Sequence, residues 1–241
     1  GLVLYGFEPS VMMMLVARVM DMSLNYTLLA VPLFVLMAAV LQRSGVAEEL
    51  FNAVHVWAGG LRGGLAIGTI IANAIMASMV GIIGAEIVTF GMVALPAMLE
   101  RKYDHKLALG SIAAGGGLAT LIPPSVVFIV YGMTAGCSVG ELFLAGVLPG
   151  FLLGALFIAY IVWHSWRHPE SAPLASETER RIPFRQKLAM QKKLIAPLLL
   201  AGSVLGSMYA GIATPTEAAG VGVLGSIVCA AINRKLNVWM I

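Results

Sequence analysis

Charged side chains are scarce in this sequence of 241 residues: Asp, Glu, Lys and Arg make up 11% of it, while hydrophobic residues make up 59%. Soluble domains average about 25% charged and about 45–50% apolar residues, so the composition excludes a soluble globular domain. The mean hydropathy of +0.92 agrees with this. A helix needs roughly 20 apolar residues to cross a bilayer core of about 30 Å, and several runs reach that length. We therefore expect an all-α integral membrane protein.

Cysteine and histidine are also scarce, with two and four residues respectively. The histidines stand in or beside basic segments without regular ligand spacing. Cys137 and Cys229 are expected near opposite faces of the membrane, too far apart for a disulfide. The acids expected at membrane depth, Glu86, Glu141 and Glu217, have no His or Cys partner. We therefore expect that the protein is not an enzyme, binds no cofactor and has no nucleic-acid partner.

Positive charge is confined to a few segments: apart from Arg18, every Lys and Arg falls in residues 43–62, 101–106, 167–193 or 234–235. Cytoplasmic loops collect Lys and Arg, so the chain must cross the membrane an even number of times between successive segments. The apolar runs meet this condition. They predict helices at residues 24–42, 141–163, 194–210 and 218–232, a hairpin at residues 65–99 and an interrupted helix at residues 107–133.

The predicted hairpin has legs that are short for a full crossing. Its 35 residues allow about 17 per leg, or about 25 Å at 1.5 Å per residue. Gly81 and Gly84 permit a turn within residues 80–86. Asn73, on the first leg, is expected to cross-link the two legs by hydrogen bonds. These features predict a re-entrant hairpin.

Glu86, at the predicted turn, has two interpretations. An ionisable residue in a membrane segment costs about 2.5–3.5 kcal/mol on insertion scales and is by default a functional residue, here a cation ligand or a proton-coupling group. Alternatively, Glu86 lies close to the interface and caps the N-terminus of the second leg, where a carboxylate is favoured. If the turn binds a ligand, the candidate groups are Glu86 and the backbone carbonyls of Gly84 and Ala85.

The interrupted helix contains the most informative segment of the chain. Residues 115–129 are too apolar for a surface loop and too rich in Gly and Pro for a continuous helix. Non-helical backbone at membrane depth persists only where protein, water or a ligand satisfies its polar groups, and discontinuous helices mark binding sites in secondary transporters. The alternative is a proline kink that neighbouring helices stabilise.

This segment offers groups that suit both a cation and an acid. Sodium is a hard cation that prefers oxygen ligands, and an unwound helix supplies backbone carbonyls. Residues 115–117, all glycine, are expected to let the backbone turn outward, and the two prolines leave the carbonyls of Ala119 and Thr120 unclaimed. The N-terminus of the helix that resumes at Ser125 suits a carboxylate. The candidate binding residues are Gly117, Ala119, Thr120, Pro123, Pro124 and Ser125, with Thr120 and Ser125 as candidate sodium ligands.

Two further patterns predict structural roles. Gly146, Gly150 and Gly154 recur every four residues and form a ridge suited to close helix packing. Glu217 follows Thr214 by three residues at the start of a predicted helix, an arrangement typical of an N-terminal cap.

Five short motifs along the chain resemble a known family, the large membrane subunit of the tripartite ATP-independent periplasmic (TRAP) transporters. The motifs stand in order over most of the sequence: residues 29–34 (LAVPLF), 61–66 (LRGGLA), 122–125 (IPPS) with Tyr131-Gly132, 142–146 (LFLAG) with 148–150 (LPG), and 214–219 (TPTEAA). The resemblance implies a multi-pass protein of the bacterial inner membrane that performs sodium-driven import of a small organic acid, such as a dicarboxylate.

The resemblance also implies partners and an architecture. A periplasmic binding protein would deliver the acid, and a small four-helix membrane subunit would brace the complex in the bilayer. The large subunit would be an elevator built from two inverted repeats. The absence of an initiator Met at Gly1 and the likeness together lead us to expect a fragment that covers the first repeat and the opening of the second.

On that expectation the chain divides into five parts. They are an arm and scaffold helix (1–64), a transport half-site (65–133), a scaffold helix (141–163), a cytoplasmic basic loop (164–193) and the start of the second repeat (194–241). The alternatives are a non-transporting membrane scaffold subunit and a sodium/carboxylate symporter that works without a binding protein.

Overall fold

The computed structural model describes residues 9–58, 60–174, 187, 191 and 194–233. Within these residues the chain forms helices and turns and no strand, which confirms the all-α class. The described helices are α1 (Pro9–Ser23), α2 (Ala30–Arg43), α3 (Val46–Ala58), α4 (Gly64–Val80), α5 (Ile83–Glu100), α6 (His105–Gly117), α7 (Val126–Ala135), α8 (Val139–Arg167), α9 (Ile195–Tyr209) and α10 (Pro215–Ile232).

Several of these helices are long and apolar enough to cross a membrane. In the described part of the chain four candidate spans meet both criteria: Tyr26–Arg43, Ile83–Glu100, Val139–Arg167 and Pro215–Ile232. The first span begins with a 3-10 turn, Tyr26–Leu29, which Asn25 caps by accepting a hydrogen bond from the Thr27 N–H. The prediction of a polytopic helical membrane protein is confirmed.

Helices α4 and α5 form the hairpin expected from the sequence. Gly81, with φ +63°, and the extended Ile82 join them. Helix α4 is apolar on all sides and most of its side chains are buried, as expected for a helix at the centre of a bundle. It packs against α3, α5, α6 and α8. Re-entry of this hairpin from one membrane face remains a prediction.

Helix α3 occupies a segment for which the charge pattern predicts only a basic cytoplasmic stretch. Its buried face carries Val46, Leu50 and Phe51, and Glu48 and Glu49 lie in its first turn, where acids are favoured. The buried positions repeat at helical spacing, so the amphipathic period was present in the sequence.

Helix α10 packs against both α2 and α9, and these contacts position the C-terminal part of the described chain. The Cβ position of Gly222 lies 3.3 Å from Val204 and against the sulfur of Met37. The Thr216 hydroxyl donates a hydrogen bond to the Tyr26 carbonyl at 3.0 Å. Residues 234–241 and most of the predicted basic loop 164–193 lie outside the described residues, while residues 164–167 continue α8.

The predicted cap at the start of α10 is confirmed. The Glu217 N–H donates to Thr214 Oγ1 at 3.4 Å, and the Thr214 N–H donates to Glu217 Oε2 at 2.8 Å. This reciprocal pair satisfies two backbone donors at the helix start. Glu217 therefore has a structural role.

Candidate functional site

The hairpin turn touches the break in the interrupted helix. A Cβ atom on Gly81 would overlap the Pro124 carbonyl oxygen and would lie 3.2 Å from Ser125 Cα. Gly81 also has the positive φ that side chains resist. Only glycine fits this position without strain, so the turn and the break meet backbone to backbone.

The break itself lies between α6 and α7. After α6 a 3-10 turn spans Leu118–Thr120, and the N–H groups of Leu121 and Ile122 both donate to the Leu118 carbonyl, at 3.0 and 2.9 Å. Pro123 and Pro124 follow and offer no donor, so the carbonyls of Ala119 and Thr120 have no N–H four residues ahead. The interruption predicted from the double proline is present.

The glycine triplet 115–117 has a different role from the one expected. These residues are helical and belong to α6. The Cβ position of Gly115 lies 2.7 Å from Asn73 Nδ2, and that of Gly116 lies 3.2 Å from the Ile87 backbone nitrogen. The prediction that they turn the backbone outward is wrong. Gly115 and Gly116 let α6 approach both legs of the hairpin closely, while the Cβ position of Gly117 has open space around it.

The prediction that Asn73 cross-links the two hairpin legs is wrong. Its Nδ2 donates to the Thr69 carbonyl of the same helix at 2.9 Å. Its Oδ1 is buried and has no hydrogen-bond partner among the described residues. Gly115 of α6 lies against the Asn73 side chain, which is therefore located between α4 and α6.

Glu86 is fully buried in the first turn of α5. Neither carboxyl oxygen has a hydrogen-bond partner in the described part of the chain, and the Glu86 N–H donates to the Ile82 carbonyl at 3.2 Å. Glu86 therefore stands in the first turn of the second leg, as the capping interpretation expects, but its carboxyl group makes no capping hydrogen bond. The next residue, Ile87, packs on Gly116, which places Glu86 on the leg that adjoins α6.

Ser125 and Thr120 provide the two hydroxyls of the break. Ser125 precedes α7 in an extended conformation, and its Oγ makes no cap hydrogen bond. This Oγ is buried and has no partner within the described residues. Thr120 Oγ1 donates to the Gly117 carbonyl at 2.8 Å. The lone pairs of both oxygens remain available as ligands.

Four buried polar atoms without a hydrogen-bond partner in the described part of the chain belong to α4, α5 and the break. They are Asn73 Oδ1, the Glu86 carboxyl oxygens and Ser125 Oγ. Buried polar groups are satisfied in the great majority of cases, and leaving one unpaired costs about 1–3 kcal/mol. These atoms are therefore candidate ligand groups.

The three site residues predicted at the turn differ in their burial. Glu86 is buried, Ala85 is half-buried and Gly84 is exposed, with open space around its Cβ position. The residues missed from sequence are Asn73 as a site residue and Gly81 as the point of contact. An Asn in an otherwise apolar helix was the available signal for Asn73.

The glycine ridge of α8 forms the back wall of the break, and the predicted close packing is confirmed. The Cβ position of Gly150 lies 2.9 Å from Ile122 Cγ1, and that of Gly154 lies 3.6 Å from Leu118 Cδ1. At Gly146 the corresponding distance to the Leu121 carbonyl oxygen is 2.5 Å. Larger residues there would displace the break.

The oxygen groups of this site suit a hard cation better than a transition metal. Among the described residues no three His, Cys, Asp or Glu side chains converge on a common point. The groups present are one carboxyl, one amide, two hydroxyls and backbone carbonyls. Such oxygen sets match cations that prefer hard ligands.

Comparison with known proteins gives a family match along nearly the whole chain. The model of the family described as "Tripartite ATP-independent periplasmic transporter, DctM component" matches residues 1–240. The C4-dicarboxylate TRAP transporter large permease protein DctM of Pseudomonas aeruginosa is 36% identical over 217 residues, which is 89% of this chain and 49% of that protein.

Relatives whose names give other substrates have comparable sequence identity to this chain. The ectoine/5-hydroxyectoine TRAP transporter large permease protein UehC of Ruegeria pomeroyi is 36% identical over 203 residues, 84% of this chain and 46% of the relative. The isethionate TRAP transporter permease protein DctMQ of Oleidesulfovibrio alaskensis is 32% identical over 216 residues, 88% of this chain and 33% of the relative. The chain spans about half the length of most of these relatives, or less.

Proposed function

The chain belongs to the DctM family of tripartite ATP-independent periplasmic transporters, and on this premise we propose that it forms one half of the translocation site of a sodium-coupled importer. The transported molecule is a small organic acid, such as a dicarboxylate. The chain acts in the bacterial inner membrane, as a carrier without catalytic activity and without a cofactor other than the coupling ion.

The contact between the hairpin turn and the break carries this proposal. At Gly81 the turn meets the Pro124 carbonyl, and Ser125 Oγ, next to that contact, is buried and has no partner among the described residues. A sodium ion bound there would accept lone pairs from Ser125 Oγ and from the carbonyls of Ala119 or Thr120, which have no N–H donor four residues ahead.

The acid has its own binding element in this half-site. Helix α7 begins at Val126 and directs its N-terminus at the break. Its first N–H groups have no partner within the helix, and its dipole favours a negative charge. A carboxylate bound there would face the cation, so each ligand would lower the cost of binding the other.

The partners follow from family membership. We propose a periplasmic binding protein that delivers the acid and a small four-helix membrane subunit that holds the complex in the bilayer. The names of the relatives include C4-dicarboxylate, ectoine and isethionate. The acid carried here is therefore selected by groups that differ between relatives, including those outside this chain.

Uptake by the full-length permease in proteoliposomes tests the proposal. The permease is reconstituted with its small subunit, and a panel of labelled acids is offered with the binding protein, with or without an inward sodium gradient. We expect accumulation that needs both the gradient and the binding protein. Accumulation without the binding protein would indicate a two-component symporter, and a complex that assembles but carries nothing would indicate a scaffold.

A further inference from the structure

A cavity of about 590 Å³ lies near the N-terminus of α6, between that helix, α4 and α8. Its wall is mostly apolar and includes Ile70, Leu107, Phe157 and Ile161. The Cβ position of Gly110, which also lines it, has no atom within 4 Å. The space is therefore an open groove wide enough for a hydrocarbon chain.

The mouth of this groove is polar and contains a cation. Lys106 and His164 line it together with Asp104. The Asp104 carboxylate already accepts hydrogen bonds from the N–H groups of Lys106 and Leu107, at 3.0 and 3.2 Å, as the cap of α6. Both bonds use Asp104 Oδ2, so the side chains at the mouth that can donate to an anion are His164 and the exposed Lys106.

His164 is held in place at this mouth. Its ring lies 5.8 Å from the Tyr160 ring and 4.9 Å from the His168 ring, centroid to centroid. Ser171 Oγ lies 3.4 Å from His164 Nδ1. A fixed imidazole beside a flexible lysine is a suitable pair of donors for a phosphate.

Two features place the mouth at the level of lipid headgroups. Lys106 belongs to the basic segment 101–106, which the distribution of charge assigns to the cytoplasmic face. The same end of α8 exposes Tyr160, Trp163 and Trp166, and Tyr and Trp are enriched where a membrane meets water. The apolar wall below the mouth then faces the acyl region.

We propose that this groove binds an anionic phospholipid of the cytoplasmic leaflet. The phosphate sits at Lys106 and His164, and one acyl chain lies along Leu107, Phe157 and Ile161. The donors Lys106 and His164 at the mouth and the apolar wall below it favour this occupant. The inference does not depend on the transported substrate or on sodium coupling.

Lipid titration of the purified full-length permease, followed by native mass spectrometry, tests the headgroup contact. We expect phosphatidylglycerol to bind more tightly than phosphatidylcholine of the same chains. Lys106→Gln should weaken phosphatidylglycerol binding about fivefold, as expected for one basic residue near an anionic headgroup. The matched control Lys102→Gln removes an equal charge from the same basic segment but not from the groove, and should change binding less than twofold.

A second pair of variants tests the acyl-chain contact without changing charge. Gly110→Leu fills the groove from a position with open space, while Gly202→Leu adds the same side chain at an exposed site on α9, where nothing lies within 4 Å. We expect Gly110→Leu alone to reduce phosphatidylglycerol binding, by at least fivefold.

Several results would overturn the inference. One is equal affinity for the two lipids, and another is equal loss in Lys106→Gln and Lys102→Gln, which would indicate general surface charge. Displacement of the lipid by millimolar inorganic phosphate would indicate a site for the free anion. An absence of bound lipid in the wild-type permease would mean that the remainder of the protein fills the groove.

Discussion

Gly81→Ala is the substitution that tests the junction between the hairpin and the break most severely. An L-residue in the left-handed conformation costs about 1–2 kcal/mol, and Gly81 has φ +63°. The new methyl group would also overlap the Pro124 carbonyl oxygen. Relief requires a backbone shift, and overpacking of this kind costs about 1–3 kcal/mol.

Together these costs amount to about 2–5 kcal/mol against the arrangement in which turn and break touch. Even the lower value reduces the population of that arrangement about 30-fold. We therefore expect uptake in proteoliposomes to fall at least tenfold, and the melting temperature of the purified permease to fall as well.

Gly91→Ala is the matched control for this substitution. Gly91 lies within α5, on the same hairpin, and nothing lies within 4 Å of its Cβ position. Ala in place of Gly in a helix interior stabilises by about 0.5–1 kcal/mol, so this variant should transport normally and melt no earlier than the wild type. Wild-type uptake by Gly81→Ala would refute the proposed contact.

Three further predictions follow from single groups. Ser125→Ala removes a buried hydroxyl without a partner among the described residues, so thermal stability should hold or rise. The sodium concentration for half-maximal uptake should rise about tenfold, which corresponds to a loss of about 1.4 kcal/mol in sodium binding. Unchanged sodium dependence would contradict a ligand role. Glu217→Gln keeps a side chain that can accept the hydrogen bond from Thr214 but loses its charge at the helix start, so we expect a small fall in melting temperature and unchanged uptake. Loss of uptake with a normal melting temperature would show a functional role. Burial raises the pKa of Tyr103, whose hydroxyl accepts a hydrogen bond from the Leu65 N–H at 3.3 Å. The Tyr103 hydroxyl therefore loses its proton at a lower pH in the unfolded chain, and the free energy of unfolding should fall as the pH rises above about 10. Tyr103→Phe should show a smaller fall across the same pH range, and identical pH profiles would speak against this burial effect.

The interruption of the helix could be predicted from sequence because its cause is local. Two consecutive prolines remove two backbone donors wherever they occur in a helix. Likewise, Gly81 and Gly84 predicted a turn near its observed place, and the capping pair of Thr214 and Glu217 is complete within four residues. Each of these features depends on chemistry that a short window of sequence contains.

The role of the glycine triplet could not be predicted, because its cause lies in other segments. Gly115 is small because Asn73 approaches it, and Gly116 is small because Ile87 does. A glycine that relieves a close approach and a glycine that turns the backbone look alike in a sequence. Only the packing of α6 on the hairpin distinguishes them.

The state of Glu86 also depends on long-range packing. Its place in the first turn of α5 favours a cap in any exposed helix. The burial of its side chain comes from the neighbouring helices, and a window around residue 86 contains no sign of it. The same holds for Asn73, because its contact with Gly115 of α6 is not visible in a window around residue 73.

Direct measurement of sodium binding tests the central claim that turn and break form half of an ion site. The purified full-length permease and its Pro123→Ala/Pro124→Ala variant would be titrated with radioactive sodium, and circular dichroism and melting would confirm that both are folded. We expect saturable binding by the wild type and fewer bound ions per molecule in the variant, because restored helix hydrogen bonds would claim the carbonyls of Ala119 and Thr120. Equal stoichiometry and affinity in the two proteins would contradict the claim.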